Sequence, residues 1–208
     1  GTDINAETAI GDLIADGTMQ QIGDYAAFGS AQWRPVQQLI VRPGLRYAHN
    51  TKYNAPVVPS LDTRLQLGHF YTLRASYAEG FRSPSLKELF LYFVDVNHDI
   101  HGNTDLAAET SNNYTLSLSY RKAMEKGVLR GEITGFHDRV HNLITLAQEG
   151  GTLYTYINVG EYRTLGGSFS LGWDNGHWAL NGGTAITGRY DTLGLKNGGP
   201  NYEFTPKA

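Results

Sequence analysis

Residues 114–121 read YTLSLSYR. Apolar and polar side chains alternate without a fault: Tyr114, Leu116, Leu118 and Tyr120 stand against Thr115, Ser117, Ser119 and Arg121. Successive side chains on a strand point to opposite faces, so a period of two reads as a strand with one apolar and one wet face. The same period spreads in both directions. Upstream, Tyr71, Leu73, Ala75 and Tyr77 oppose Thr72, Arg74, Ser76 and Ala78, and before a tight turn at Gly68-His69, Leu61, Thr63, Leu65 and Leu67 oppose Asp62, Arg64 and Gln66. Further back, Leu39, Val41, Leu45 and Tyr47 oppose Arg42, Gly44 and Arg46, with Pro43 an awkward member because it cannot donate a ladder hydrogen bond. Residues 19–33 read as a less regular strand, 34–38 as a turn, and the polar residues 1–18 as loop.

Downstream, residues 122–127 form a polar turn, 128–146 a strand, and 148–152 a glycine-bearing tip. Residues 153–173 return as a strand with an expected break near Gly160, and Asp174-Asn175-Gly176 turns the chain again. Trp178, Leu180, Ile186 and Tyr190 then oppose Asn181 and Arg189, residues 193–200 read as loop, and Tyr202-Glu203-Phe204 opens a further strand. The total is about eight strands in up-and-down order.

The composition agrees with an all-β chain. Of 208 residues, 25 are glycine and 13 tyrosine, and charged residues are 18%, below the usual quarter, which suits an apolar face left open. The net charge is −3 with scattered basic residues, so nucleic acid is not an expected partner, since phosphate binding needs a clustered basic surface. The absence of cysteine rules out disulfides and thiolate metal sites. No apolar run is long enough for a membrane helix, but membrane β-strands alternate and escape such a test. Gly1-Thr2-Asp3 does not read as a signal peptide and looks like a cut edge.

The connections alternate in length. Those after Trp33, Leu67, Arg121 and Trp173 are short, and those after Tyr47, Gly80, Leu146 and Tyr190 are longer. Soluble sandwiches have no reason to gather short turns at one end, whereas outer-membrane barrels do. Tyrosine and tryptophan near the strand ends fit an aromatic girdle, and the Ser, Thr, Asn, Arg and Gly face fits a wet lumen. The fold class expected is therefore an antiparallel up-and-down transmembrane β-barrel, set against a soluble β-sandwich.

One connection stands apart. Residues 80–111 separate two strands with about thirty residues too apolar for disorder, among them Leu86, Leu89, Phe90, Leu91, Phe93 and Val94. The segment begins with Phe81-Arg82-Ser83-Pro84 and later carries Asn103-Thr104-Asp105-Leu106 and Glu109. With the flanking strands, this pair resembles the barrel of TonB-dependent outer-membrane receptors, in which a Phe/Tyr-Arg-Ala-Pro box is followed by an Asn-Pro-Asp/Asn-Leu box and a Pro-Glu. Ser83 stands for the Ala, Thr104 for the Pro, and Ala108 precedes Glu109. The segments HDRVHNLI (137–144) and YINVGEYRTLGGSFSL (156–171) also resemble the family, as does the strand over 40–47, so that the likeness spans residues 25–190. It implies a bacterial outer-membrane location and a partial barrel domain over 1–208, with 80–111 an extracellular loop. The strands would belong to a 22-stranded barrel with a plugged lumen, the plug and its TonB-binding segment being absent from this stretch. It further implies a receptor and transporter driven by the TonB complex. The cargo would be haem, another iron complex such as a siderophore, or cobalamin, with the haem branch most similar because histidines lie between the boxes.

Within the loop, His98 and His101 are the expected ligand-binding residues, either able to serve as an axial iron ligand, with Tyr92 a further candidate. Haem enters only as cargo; no resident cofactor is expected. For Phe81, Arg82, Pro84, Asn103, Asp105 and Leu106 a shaping role is favoured over ligand contact. Arg82 can fork onto carbonyls or a carboxylate, Pro84 stops a strand, and Asn103 and Asp105 close turns. His137 and His141 have an HxxxH spacing, but on a strand four residues span roughly 13 Å, too far for one ion, so no metal site is expected. No HExxH, phosphate loop or nucleophile elbow is present and no enzyme is expected. A β-rich surface adhesion module without transport is the alternative function.

Overall fold

The alternating stretches are consecutive strands of one sheet in the computed structural model, which describes residues 1–11, 13, 14, 17, 19–191 and 202–207. The chain runs β1 (Thr2–Ala9), β2 (Gln20–Ser30), β3 (Trp33–Val36), β4 (Leu39–Asn50), β5 (Val58–Leu67) and β6 (Tyr71–Arg82). A one-turn helix, α1 (Leu86–Phe90), and two short strands, β7 (Tyr92–Val94) and β8 (Asp99–His101), follow. Four long strands and a short one then complete it: β9 (Glu109–Met124), β10 (Gly127–Gly150), β11 (Leu153–Asp174), β12 (Ala179–Asp191) and β13 (Glu203–Lys207). The order is β1-β2-β4-β5-β6-β9-β10-β11-β12-β13, every neighbour antiparallel. This is the up-and-down order that the alternation predicts.

Several details differ from the sequence reading. The path holds ten strands among the described residues rather than about eight. One of the extra two is β1, in the segment read as loop: Thr2–Ala9 pairs along its whole length with Ala27–Gln20. Its acids and Asn5 alternate with Thr2, Ile4, Ala6 and Thr8, a period of two carried by charges instead of by large apolar groups. The other is β13, of which only the start was legible. Residues 34–38 are not all turn, since β3 continues β2 along β4. The gap between β2 and β3 falls opposite Arg42-Pro43, where proline has no N–H for the ladder. β11 is unbroken at Gly160, and β9 persists through Met124, leaving a tighter turn than 122–127. β6 and β9 also consume both ends of the expected loop, so that 83–108 is the part outside the main path. The loop expected over 193–200 and the terminal Ala208 lie outside the described residues.

The sheet has no second layer along most of its length. Its apolar face lies open: Leu116, Ile133, Phe169, Leu171 and Leu180 are each between 46% and 63% exposed. In water such a continuous patch would be a liability, and in lipid it is what a barrel wall presents. Aromatic contacts bracket this band, Tyr71 against Tyr120 near the short turns and Tyr77 against Tyr114 toward the long loops, both at 5.0 Å between ring centres. The opposite face carries the polar set, with hollows lined by Arg42, Asp62, Arg64, Arg74, Ser117 and neighbours. No described helix is long and apolar enough to cross a membrane. A small core gathers where residues 83–108 fold over the polar face: Ile22, Leu86, Leu89, Phe90, Leu106 and Ile144.

Candidate functional site

The segment 83–108 is a folded object, and its parts can be built one at a time. Pro84 follows the end of β6 and is fully buried. Ser85 then caps α1: its hydroxyl accepts from the Glu88 N–H at 3.3 Å, while the Glu88 carboxylate accepts from the Ser85 N–H at 2.8 Å. This reciprocal box satisfies two donors that a helix start would otherwise leave orphaned. Only one turn of helix follows, and its Leu86, Leu89 and Phe90 are buried against Ile22 of β2, Leu106 and Ile144 of β10. Propensity alone cannot hold so short a helix; the cap and the buried face do.

Arg82 joins the pieces. Its Nε and Nη2 donate to the two Glu109 oxygens at 2.7 and 2.8 Å, and its Nη1 donates to Glu88 Oε2 at 2.9 Å. Glu109 Oε1 also accepts from the Ile144 N–H at 2.6 Å. One guanidinium thus ties β6, α1 and β9, and Glu109 extends the tie to β10. The Glu109 hydrogen bonds, opposed by burial and reinforced by Glu88, raise the Arg82 pKa above its already high value. Burial works against ionisation of Glu88, but the hydrogen bonds from Arg82 and Ser85 outweigh it and hold that carboxyl below its ordinary range.

The second box is positioned by backbone. Asn103 receives Asp105's N–H at 2.9 Å on its Oδ1, gives its Nδ2 to the Tyr156 carbonyl at 2.9 Å, and its own N–H reaches the Glu88 carbonyl at 2.9 Å. Leu106 drives into the core and is 3% exposed. Asp105 is exposed, and Phe81 is half-buried in the ladder opposite Thr110. Asn158 of β11 acts as a substitute strand, accepting from the Ala107 N–H at 2.8 Å and donating to its carbonyl at 3.0 Å. Five of the six box residues therefore have packing or hydrogen-bonding tasks inside the segment or its ladder.

Tyr92, His98 and His101 lie on the hairpin of β7 and β8. β8 also adds in parallel to β11, Asp99 against Leu153 through His101 against Thr155. Asp95 shapes the hairpin tip by accepting from the N–H groups of Asn97 and His98, both at 2.7 Å. Those bonds, led by Asn97's and opposed by some burial, hold its carboxyl below the ordinary range. His98 sits in this turn, half exposed, with Nδ1 3.1 Å from Asp95 Oδ1. His101 lies inside the ladder opposite Tyr92, its ring 5.0 Å from the tyrosine ring and its Nε2 2.6 Å from Asp99 Oδ1. The structure does not bring the two histidines to one point: one belongs to the turn, the other to the ladder. Among the described residues no group of three or more His, Cys, Asp or Glu converges as for a metal ion. His137 instead stacks on Tyr114 at 6.2 Å, and His141 faces Glu161 across the β10–β11 ladder.

Glu88, Ser85, Asn142 and Asn158 escaped the sequence reading. Ser85-Leu86-Lys87-Glu88 carries the S-x-x-E spacing of a capping box, a signal available in the residues themselves. Asn142 and Asn158 gave none: Asn142 adopts φ 56° and offers its carbonyl to Asn158 Nδ2 at 2.7 Å, a pairing made only by the fold.

An open, up-and-down antiparallel wall with a bare apolar face, a polar face and a folded segment at its long-loop rim defines a transmembrane β-barrel protein. The chain belongs to the family described as TonB dependent receptor-like, beta-barrel, whose sequence model matches residues 3–208. It is 28% identical over 161 residues to the iron-regulated outer membrane virulence protein of Vibrio cholerae, covering 71% of this chain and 24% of that protein. It is 27% identical over 162 residues to the ferrienterobactin receptor of Escherichia coli, covering 73% of this chain and 20% of that one. The crystal structure of the siderophore receptor PirA from Pseudomonas aeruginosa superposes with a TM-score of 0.73 at 18% identity, over 91% of this chain and 41% of that chain. The chain thus spans about a quarter or less of the length of these curated relatives and is a wall segment of an outer-membrane barrel.

Proposed function

We propose that the receptor containing this wall binds an iron complex at the cell surface and admits it through the barrel, with the TonB system supplying the energy. The observation that carries this reading is the inward fold of 83–108. The segment packs on Ile22 and Ile144 at the mouth of the polar face, where an entering solute must pass. Relatives named for iron regulation and for ferrienterobactin support a ferric complex as the cargo. The family is one of transport receptors rather than enzymes.

Within this reading, a ferric siderophore is the first cargo class. Haem is the second, and one observation favours it: Asp95 holds His98 by Nδ1, which leaves Nε2 of an exposed imidazole for iron, the orientation that a carboxylate imposes on a ligating histidine. His101, with Nε2 on Asp99 and its ring on Tyr92, is the weaker ligand, and Tyr92 is a neighbour of the site. Cobalamin stands third. The test is a titration of the detergent-solubilised receptor with ferric enterobactin, haemin and cobalamin, and TonB-dependent accumulation in cells. Binding of a ferric complex with energy-dependent uptake supports the proposal. A Soret band shifted by wild type and His101→Ala but not by His98→Ala assigns haem and its ligand. Surface binding without accumulation would instead favour an adhesion module.

A further inference from the structure

We propose that the outward side of β10 to β12 holds a phosphate-bearing membrane lipid at the upper edge of the apolar band. Odd-numbered residues of β10 and β11 face outward with Ile133 and Phe169, and on that face Arg139 stands directly opposite Arg163. Both lie ten residues beyond the rung of Leu129 and Trp173 near the short turns. Ten residues run about 33 Å along a strand, and at a barrel tilt of about 40° they rise about 25 Å, the height of an outer-membrane apolar band. One outward rung below the arginines, His137 stacks on Tyr114 of the aromatic girdle. The two guanidiniums therefore sit where lipid headgroups begin, on the lipid side of the wall.

The pair is short of acid. Glu161 is shared between them: its Oε1 lies 2.6 Å from Arg139 Nε, and its Oε2 accepts from Arg163 Nη2 at 2.5 Å. Two guanidiniums thus divide one carboxylate, with His141 directly opposite it on the ladder. The Nε–H of Arg163 is buried and meets no acceptor among the described residues, and that of Arg139, although close to Glu161, is not aligned on it. A buried donor left without an acceptor is costly, so both point to a missing partner. On the Arg139 side, β9 presents Asn112 and Thr110 rather than an acid, and Glu79 beyond them is engaged by the Tyr77 hydroxyl at 2.5 Å. On the Arg163 side, the Tyr190 ring lies 5.4 Å from the guanidinium carbon, with Tyr202 5.8 Å further on. One positive charge is left over, and a phosphate offers acceptors to both planar forks. Position selects its source. A soluble anion makes no use of an apolar wall, whereas Ile133, Phe169 and Ile186 below the arginines are exposed to acyl chains. This inference rests on the orientation of the wall and not on the cargo; a receptor that binds no ferric complex would still hold the lipid.

The test uses the intact receptor in phosphatidylcholine nanodiscs, with dioleoylphosphatidic acid as the probe. Native mass spectrometry reads which lipids are retained, and the melting temperature is followed in parallel. The wild type is expected to keep phosphatidic acid about tenfold over phosphatidylcholine, and to melt higher when it is present. Arg139→Gln with Arg163→Gln should abolish both effects, and Arg163→Gln alone should weaken them. Arg74→Gln with Arg121→Gln, the same loss of charge on the inner face, should change neither. Glu161→Gln removes the competing carboxylate and should raise retention of phosphatidic acid. That rise separates a lipid site from a self-contained ion triad, whose disruption would lower the melting temperature equally in both lipids and leave retention unchanged. Equal retention of the two lipids by the wild type, a preference that survives in the arginine variants, or unchanged or lower retention in Glu161→Gln would each overturn the proposal. A melting shift reproduced by inorganic phosphate, with no lipid retained, would overturn it in favour of a free anion.

Discussion

The rim and the wall of this protein bury their residues in opposite ways. At the rim, residues 83–108 behave as a water-soluble protein does: a capped helix, a leucine and phenylalanine core, and an arginine neutralised by two carboxylates. Along the wall, Leu116, Ile133 and Phe169 face outward, and the inner face is serine, threonine and arginine. The same alternating strands, β6, β9 and β10, serve both regimes. The difference teaches that the surrounding solvent, not the strand, decides which face counts as inside.

The sharpest way to break the comparison is to empty the rim core. Leu106→Ala is expected to cost about 2–5 kcal/mol, because a buried leucine leaves a cavity, and to free the hairpin. A nitroxide on Val96→Cys, a 94% exposed tip position in a chain without cysteine, reads this as increased mobility. Next in size, Ile133→Lys should cost about 2–4 kcal/mol in urea unfolding from lipid vesicles, as for a lysine placed on the lipid face of a barrel. Its neighbour Thr134→Lys, on the inner face, should cost little; equal costs would mean that the faces are misassigned. Arg82→Gln strands Glu88 and Glu109, which are 15% and 13% exposed, and should loosen the same spin label by about 2 kcal/mol, a value discounted because Arg82 itself is 45% exposed. Ser85→Ala removes the cap for about 1 kcal/mol. The smallest effect is a pH step. The Glu88 carboxyl is lowered from 4.5, so its contribution is complete above that ordinary value and is lost as the pH falls through the lowered one. The label should gain mobility only in acid, and Glu88→Gln should remove that step.

Much of the wall was legible because period two is a local property. YTLSLSYR carries its own orientation, and the turns at Gly68-His69 and Asn175-Gly176 announce themselves by composition. β1 was missed because TDINAETA marks its faces with acids and small residues instead of large apolar ones. At the rim, the sequence favours a shaping role for the two boxes; in the structure Arg82 forks onto Glu109, Pro84 follows the end of β6, and Asn103 accepts from the Asp105 N–H. The partners were not legible. Arg82 finds Glu109 because β6 and β9 pair, although the two residues stand 27 positions apart, and Asn158 finds Ala107 at a separation of 51. Such meetings are products of register, and no window of sequence contains both members. The hairpin of β7 and β8 failed for a related reason: its second strand is stabilised by β11, far along the chain.

The tie at Arg82 can also be viewed as a mechanical part. β8 holds β11 through three residue pairs, a short zipper that opens one rung at a time. Arg82 grips β6, α1 and β9 through one planar group whose bonds share any load together. A tug on the hairpin tip would peel β8 away first and then stop at the guanidinium. The outer part of the segment is thereby a soft spring in series with a stiff anchor, and what lands on the tip can move the hairpin without moving the wall.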